Sequence, residues 1–135
     1  RNCSRVSLEP INGDMGSRCT VRVAEIPVRQ PGDKLRGPHM HDGFEECIYV
    51  LQGTGTTVAE SGEIPIKPGD IVLIPPNEKH MTRNTGAEPL VLLCFFAEPD
   101  VTIGDIVFEV EGVRRRALVS VLARRVGAAN RSDTV

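Results

Sequence analysis

The chain has 135 residues, 40% hydrophobic and 25% charged, with a formal net charge of −2 at pH 7. That length suits one domain around one core, and the balance is ordinary for a globular protein, so disordered, fibrous and two-domain readings are set aside. The near-neutral charge gives no global electrostatic reason to expect nucleic acid or an anionic membrane as partner, and no apolar run nears the roughly 18 to 20 residues that span a bilayer.

Residues 1–18 read as an N-terminal arm, and Arg1-Asn2-Cys3-Ser4-Arg5 does not lead into the apolar core of a signal peptide, so a cytoplasmic location is the expectation. From there 13 Gly and 10 Pro fall largely between short apolar or alternating runs, which is the spacing of an all-β sandwich or barrel. Strands are predicted over 19–27, 34–41, 46–52, 55–60, 63–67, 70–74, 79–84 and 90–98. Turns are predicted at Gln30-Pro31-Gly32-Asp33, Asp42-Gly43, Ser61-Gly62, Lys67-Pro68-Gly69, Pro75-Pro76-Asn77-Glu78 and Thr85-Gly86. About eight antiparallel strands with tight turns match a single double-sheet jelly roll, a closed architecture with little exposed sheet edge.

Residues 99–135 are the C-terminal extension of this 19–98 barrel. Residues 106–110 alternate apolar and charged and suit an edge strand. Residues 113–125 suit a short amphipathic helix, with Val113, Ala117, Val121 and Leu122 on one face and five arginines largely elsewhere. Such a basic face could meet nucleic acid or a membrane surface; the plainer reading, a solvated face on a packing helix, is preferred because the segment is short and lacks an aromatic residue. Residues 127–135 read as a frayed tail. Cys3, Cys19, Cys47 and Cys94 form no CxxC pattern and are expected as reduced thiols, Cys47 and Cys94 within strands.

The chain contains three histidines, His39, His41 and His80. Two residues apart on an extended strand, His39 and His41 project from one face and can reach a common ion. Glu46 opens the next strand after the Asp42-Gly43 turn, where a carboxylate would complete the cluster and lower its charge. His80 comes from a distant strand that an antiparallel barrel can lay beside the first. Three imidazoles and one carboxylate around a divalent ion leave coordination positions open for water, dioxygen or a chelating substrate. Glu45 is the rival ligand. Because only one of two neighbours on a strand can face inward, Ile48 and Val50 should share the Glu46 face and line the pocket, with Cys47, Tyr49 and Leu51 outside. Thr82 should share the His80 face.

These residues resemble the cupin family, whose first motif has the form G-x5-H-x-H-x3,4-E-x6-G and whose second has the form G-x5-P-x-G-x2-H-x3-N. The chain reads His39-x-His41-x4-Glu46-x6-Gly53 and Gly69-x5-Pro75-x4-His80-x3-Asn84. The leading glycine of the first motif would fall at Asp33, with Gly32 one place early, and the inner glycine of the second is Asn77. Spacing to Gly53 favours Glu46 over Glu45. Asn tolerates a left-handed backbone better than most residues, so Asn77 should preserve the turn. The resemblance covers about residues 19 to 98. It implies a β-barrel, commonly a homodimer, with a metal near its centre and substrate entering at one end.

Fold and site do not settle the reaction. The leading expectation is an enzyme binding a small oxygen-rich organic acid or enol on Fe, Mn, Ni or Zn, with a dioxygenase placed first; the alternatives are an isomerase, lyase or decarboxylase. Glu46 would be the base if it leaves the ion. The pocket is otherwise expected to be apolar, with Arg36 and Lys79 flanking the ligands as candidates to pair with a substrate carboxylate. The sugar epimerases that share this fold work without metal through a histidine base, and no histidine is left over for that role. A non-enzymatic binding or sensor module is the reading of another class. A purely structural metal is disfavoured, because closed sites usually recruit cysteine and all four cysteines lie outside the cluster.

Overall fold

The computed structural model of the chain describes residues 5–33, 37–101, 105–107 and 123–125. Its strands are β1 (Val6–Ile11), β2 (Thr20–Ile26), β3 (His39–His41), β4 (Glu46–Gln52), β5 (Gly55–Ala59), β6 (Gly62–Ile66), β7 (Asp70–Ile74), β8 (His80–Asn84), β9 (Leu90–Phe96), β10 (Asp105–Val107) and β11 (Ala123–Arg125). They form a six-stranded sheet in the order β1-β2-β9-β4-β7-β11 and a five-stranded sheet in the order β10-β3-β8-β5-β6, all pairs antiparallel. This is the double-sheet barrel the strand spacing implies. No helix among the described residues is long and apolar enough to cross a membrane.

The core follows from period-two alternation. On β4, Glu46, Ile48 and Val50 are buried while Tyr49 and Leu51 are exposed; on β9, Leu90, Leu92, Cys94 and Phe96 are buried. The register sets Ile48 against Val72 on one side and Cys94 on the other, and Val50 against Leu92. Fully burying side chains of this size contributes about 1.5–3 kcal/mol each. Gly53, at φ 77°, makes the turn out of β4: a Cβ there would lie 2.5 Å from the Pro89 carbonyl oxygen, so only glycine fits.

Three expectations change. Val6–Ile11, inside the stretch read as an arm, is an edge strand paired with β2; its apolar side chains are exposed, so no buried face marked it in the sequence. In the stretch 34–41 the strand occupies His39–His41, with 34–36 outside the described residues. The end of the predicted C-terminal helix, Ala123–Arg125, is instead strand β11 on β7, where a strand satisfies backbone groups that a helix would leave open. Residues 113–122 and the tail 127–135 lie outside the described residues. The edge strand expected near 106–110 is present as β10, which pairs with β3.

Candidate metal centre

The two sheets bring the three histidines and one carboxylate together. β3 and β8 pair with His39 directly opposite His80, so their rings approach to 4.4 Å between centroids. His41 lies on the same face of β3, 5.3 Å from the His80 ring. Glu46 reaches in from the other sheet as the first residue of β4. Ligand atoms of His39, His41, Glu46 and His80 all lie within 4.8 Å of one another, and each residue is at most 8% exposed. Glu45 points outward and is exposed, which leaves Glu46 as the carboxylate of the cluster.

Backbone contacts aim these rings. The His80 Nδ1–H donates to the Glu78 carbonyl at 2.9 Å, which turns Nε2 toward the centre. Asn77, at φ 64°, donates its backbone N–H to the His41 carbonyl at 2.8 Å, and its side-chain oxygen accepts from Gly43 N–H at 3.2 Å. The glycine-to-asparagine departure in the second motif therefore keeps the left-handed turn and adds a tie to the first. Phe44 and Phe96 pack on the His41 ring at 5.1 and 5.2 Å, forming a dry wall. Asn84, the last motif residue, is structural: its amide donates to the Ile26 and Glu88 carbonyls at 2.9 and 2.7 Å.

Burial alone would raise the Glu46 carboxyl pKa, but hydrogen bonds from His41 and His80 and their positive field outweigh it and hold the group well below the ordinary carboxylate range. Glu46 Oε2 sits 3.1 Å from His41 Nε2 and 2.9 Å from His80 Nε2. Both ring nitrogens of His80 thus face oxygen acceptors, while a neutral imidazole has one N–H. The second contact requires either another proton or a cation between Nε2 and the carboxylate. A divalent ion meets that requirement, and the donor set of imidazoles and a carboxylate suits a first-row ion. The cluster could hold such an ion.

A cavity of about 240 Å³ opens beside His39, the one ligand of the four that lines it, with Thr82, Asn84, Arg5, Arg29 and Arg83 among its walls. Thr82 therefore stands where strand alternation places it, its hydroxyl 3.0 Å from that of Thr57. Ile48 and Val50 do not line this cavity; they are consumed by the apolar core, where β7 and β9 close over them. Lys79 is 38% exposed and lies 3.7 Å from Glu60 rather than in the cavity, because it alternates with His80 and so faces away from the cluster. Arg36 lies outside the described residues. Tyr49 faces outward, as its strand parity requires. Ile26, Pro27 and Met81 line the cavity too, so its walls join apolar side chains to three arginines. Arg5 was hidden because it lies far along the chain from any histidine, and nothing local signals it.

Two antiparallel sheets enclosing a buried cluster of three histidines and one glutamate beside a cavity define a β-barrel with a candidate metal centre. The chain belongs to the cupin family: the family model described as "Cupin domain" matches residues 28–96, about half of the chain. It is 36% identical over 63 residues to the oxalate-binding protein of Thermotoga maritima, covering 47% of this chain and 51% of that one. It is 39% identical over 56 residues to the glucose-6-phosphate isomerase of Thermococcus gammatolerans, covering 38% of this chain and 30% of that one. Among solved structures, the oxalate decarboxylase of Lactobacillus farciminis in its formate complex superposes with TM-score 0.64 at 26% identity, over 76% of this chain and 31% of that one. The matches to these curated relatives span about half of their length or less.

Proposed function

We propose that this chain is a metal-dependent cupin enzyme acting on a small oxygen-rich organic anion chelated at His39, His41, Glu46 and His80. The observation that carries the reading is the convergence of four buried ligand atoms within 4.8 Å beside a cavity. A divalent ion bound there supplies Lewis-acid polarisation of a chelated oxygen. The protein's own part is to hold the histidines at fixed tautomer, exclude water with Phe44 and Phe96, and admit substrate past His39. Glu46, kept ionised by its neighbours, serves better as ligand than as base; it takes up a substrate proton only when displaced from both histidines.

The names of the relatives favour redox-neutral chemistry, decarboxylation or isomerisation, over the dioxygenase expected from the residues alone. The test is metal analysis of protein purified without chelators, followed by oxalate and glucose 6-phosphate turnover assays with oxygen uptake recorded alongside. Turnover without oxygen uptake supports this reading; metal-dependent oxygen uptake with a chelating acid returns the dioxygenase. Absence of stoichiometric Fe, Mn, Ni or Zn after loading would sink both.

The oxalate-binding relative favours a second reading, a module that holds its ligand without turning it over. Ligand recovered unchanged from a tight complex would select it. We also propose a homodimer. The outer face of the six-stranded sheet aligns Leu8, Val23, Leu93, Tyr49 and Ile71 across five strands, with Leu8 67% and Tyr49 38% exposed. Sedimentation of wild type against Tyr49→Glu checks it, a shift toward monomer being the expected outcome.

A further inference from the structure

The cavity beside His39 is walled by cationic groups that the metal chemistry does not use. Arg5 enters the barrel end from just before β1. Its Nη2 lies 3.8 Å from the sulfur of Cys94, a weak acceptor that is fully buried, and its Nε is buried with no hydrogen-bond partner. Cys94 in turn lies beside Glu46, so the guanidinium stands one side chain from the metal cluster. Among the described residues no carboxylate pairs with Arg5. Arg29 is exposed at the rim; Arg83 gives its Nη2 to Glu63 at 3.0 Å, so its charge is paired although its Nε, like that of Arg5, is buried without a partner. A partly buried guanidinium with unused donors is costly unless an anion completes it. Its planar fork fits two oxygens of one carboxylate or phosphoryl group.

We propose that Arg5, supported by Arg29 at the rim, forms an oxyanion subsite of this cavity, so that the substrate is a dianion chelated at one end and held by Arg5 at the other. This rests on the metal-centred reading for the chelating end alone. Specificity then lies in the distal group: a chelating acid with an apolar tail leaves Arg5 desolvated and unpaired, while a carboxylate or phosphoryl group satisfies it. Arg5, leading into β1, and His39, on β3, reach the cavity from the ends of different sheets, so the distance between them selects substrate length.

The experiment uses metal-loaded full-length chain and two probe pairs that differ only at the distal end, 2-oxoglutarate against 2-oxopentanoate and 3-phosphoglycerate against glycerate, measured by calorimetry. At least a tenfold tighter binding of the anionic member is expected in one pair, and the pair showing it assigns the subsite to carboxylate or phosphoryl. Arg5→Gln should abolish that gain and leave the shorter probe and the metal content unchanged, with Arg5→Lys restoring part of it. A gain that survives Arg5→Gln, or no gain in either pair in the wild type, overturns the subsite. An arginine Nε resonance of the wild type that shifts with the dianion and not with its neutral-tailed partner gives the same answer without a variant, and its absence counts against the proposal. On metal-free protein, saturable binding of inorganic phosphate or of succinate that Arg5→Gln removes would uphold the subsite even if the metal reading failed; binding of neither, with metal bound normally otherwise, would overturn the subsite alone.

Discussion

The two sheets obey the same alternation and put different chemistry inside. The six-stranded sheet turns Ile48, Val50, Val72, Ile74, Leu90 and Leu92 inward and breaks this apolar wall at Glu46. The five-stranded sheet turns inward His39, His41, His80, Thr57 and Asn84, with Ala59 and Ile66 as its buried apolar residues. Stability therefore concentrates on one wall and chemistry on the other. The lone carboxylate is valuable because it projects from the apolar wall toward the buried histidines, where low local polarity strengthens every charge interaction it makes.

The sharpest way to break this division is to exchange the effects. His80→Ala should lower divalent-metal affinity at least about 100-fold, beyond the ~10- to 100-fold typical of an outer-shell partner, measured as metal content after dialysis. Leu92→Ala, on the opposite wall, should cost about 2–5 kcal/mol by denaturant titration and leave metal stoichiometry intact. If Leu92→Ala released the metal, or His80→Ala left it bound, the two walls would not be separate in function.

Acid should probe the seam between them. The folded Glu46 carboxyl titrates well below its ordinary value of 4.5, so in metal-free protein its contribution to stability is present above that value and is lost as pH falls through the depressed one. Glu46→Gln should flatten the acid limb of the stability curve, and an unchanged limb would show that other carboxylates govern it. The smallest effect is expected at the turn that ties the motifs. Asn77→Ala should cost about 1–2 kcal/mol through its left-handed backbone, while Asn77→Gly should keep the backbone and lose the side-chain tie to Gly43, a cost nearer ~1 kcal/mol. Thermal melts of the two variants separate these terms.

The histidine ligands were legible because two of them sit at the strand period and the chain has no others. The turn at Asn77 was legible for a similar reason: few residues accept a positive φ, and asparagine is one of them. Glu46 was separable from Glu45 by motif spacing, and strand parity agrees with it. The arginine wall was not legible. Arg5 meets the cavity only because β1 folds against β2, and a contact between distant segments has no local period to betray it.

Side-chain parity and turn chemistry thus lie in the sequence, since both act over two to four residues: they determined the strands from 46 to 96, the faces of β4, and the three histidines. Tertiary structure decided what the faces meet. It set His39 opposite His80, gave Ile48 and Val50 to the core rather than the cavity, moved Lys79 outside, and turned residues 123–125 into a strand along β7. Each of these depends on which strand lies next to which, and that is decided by packing two sheets around one core.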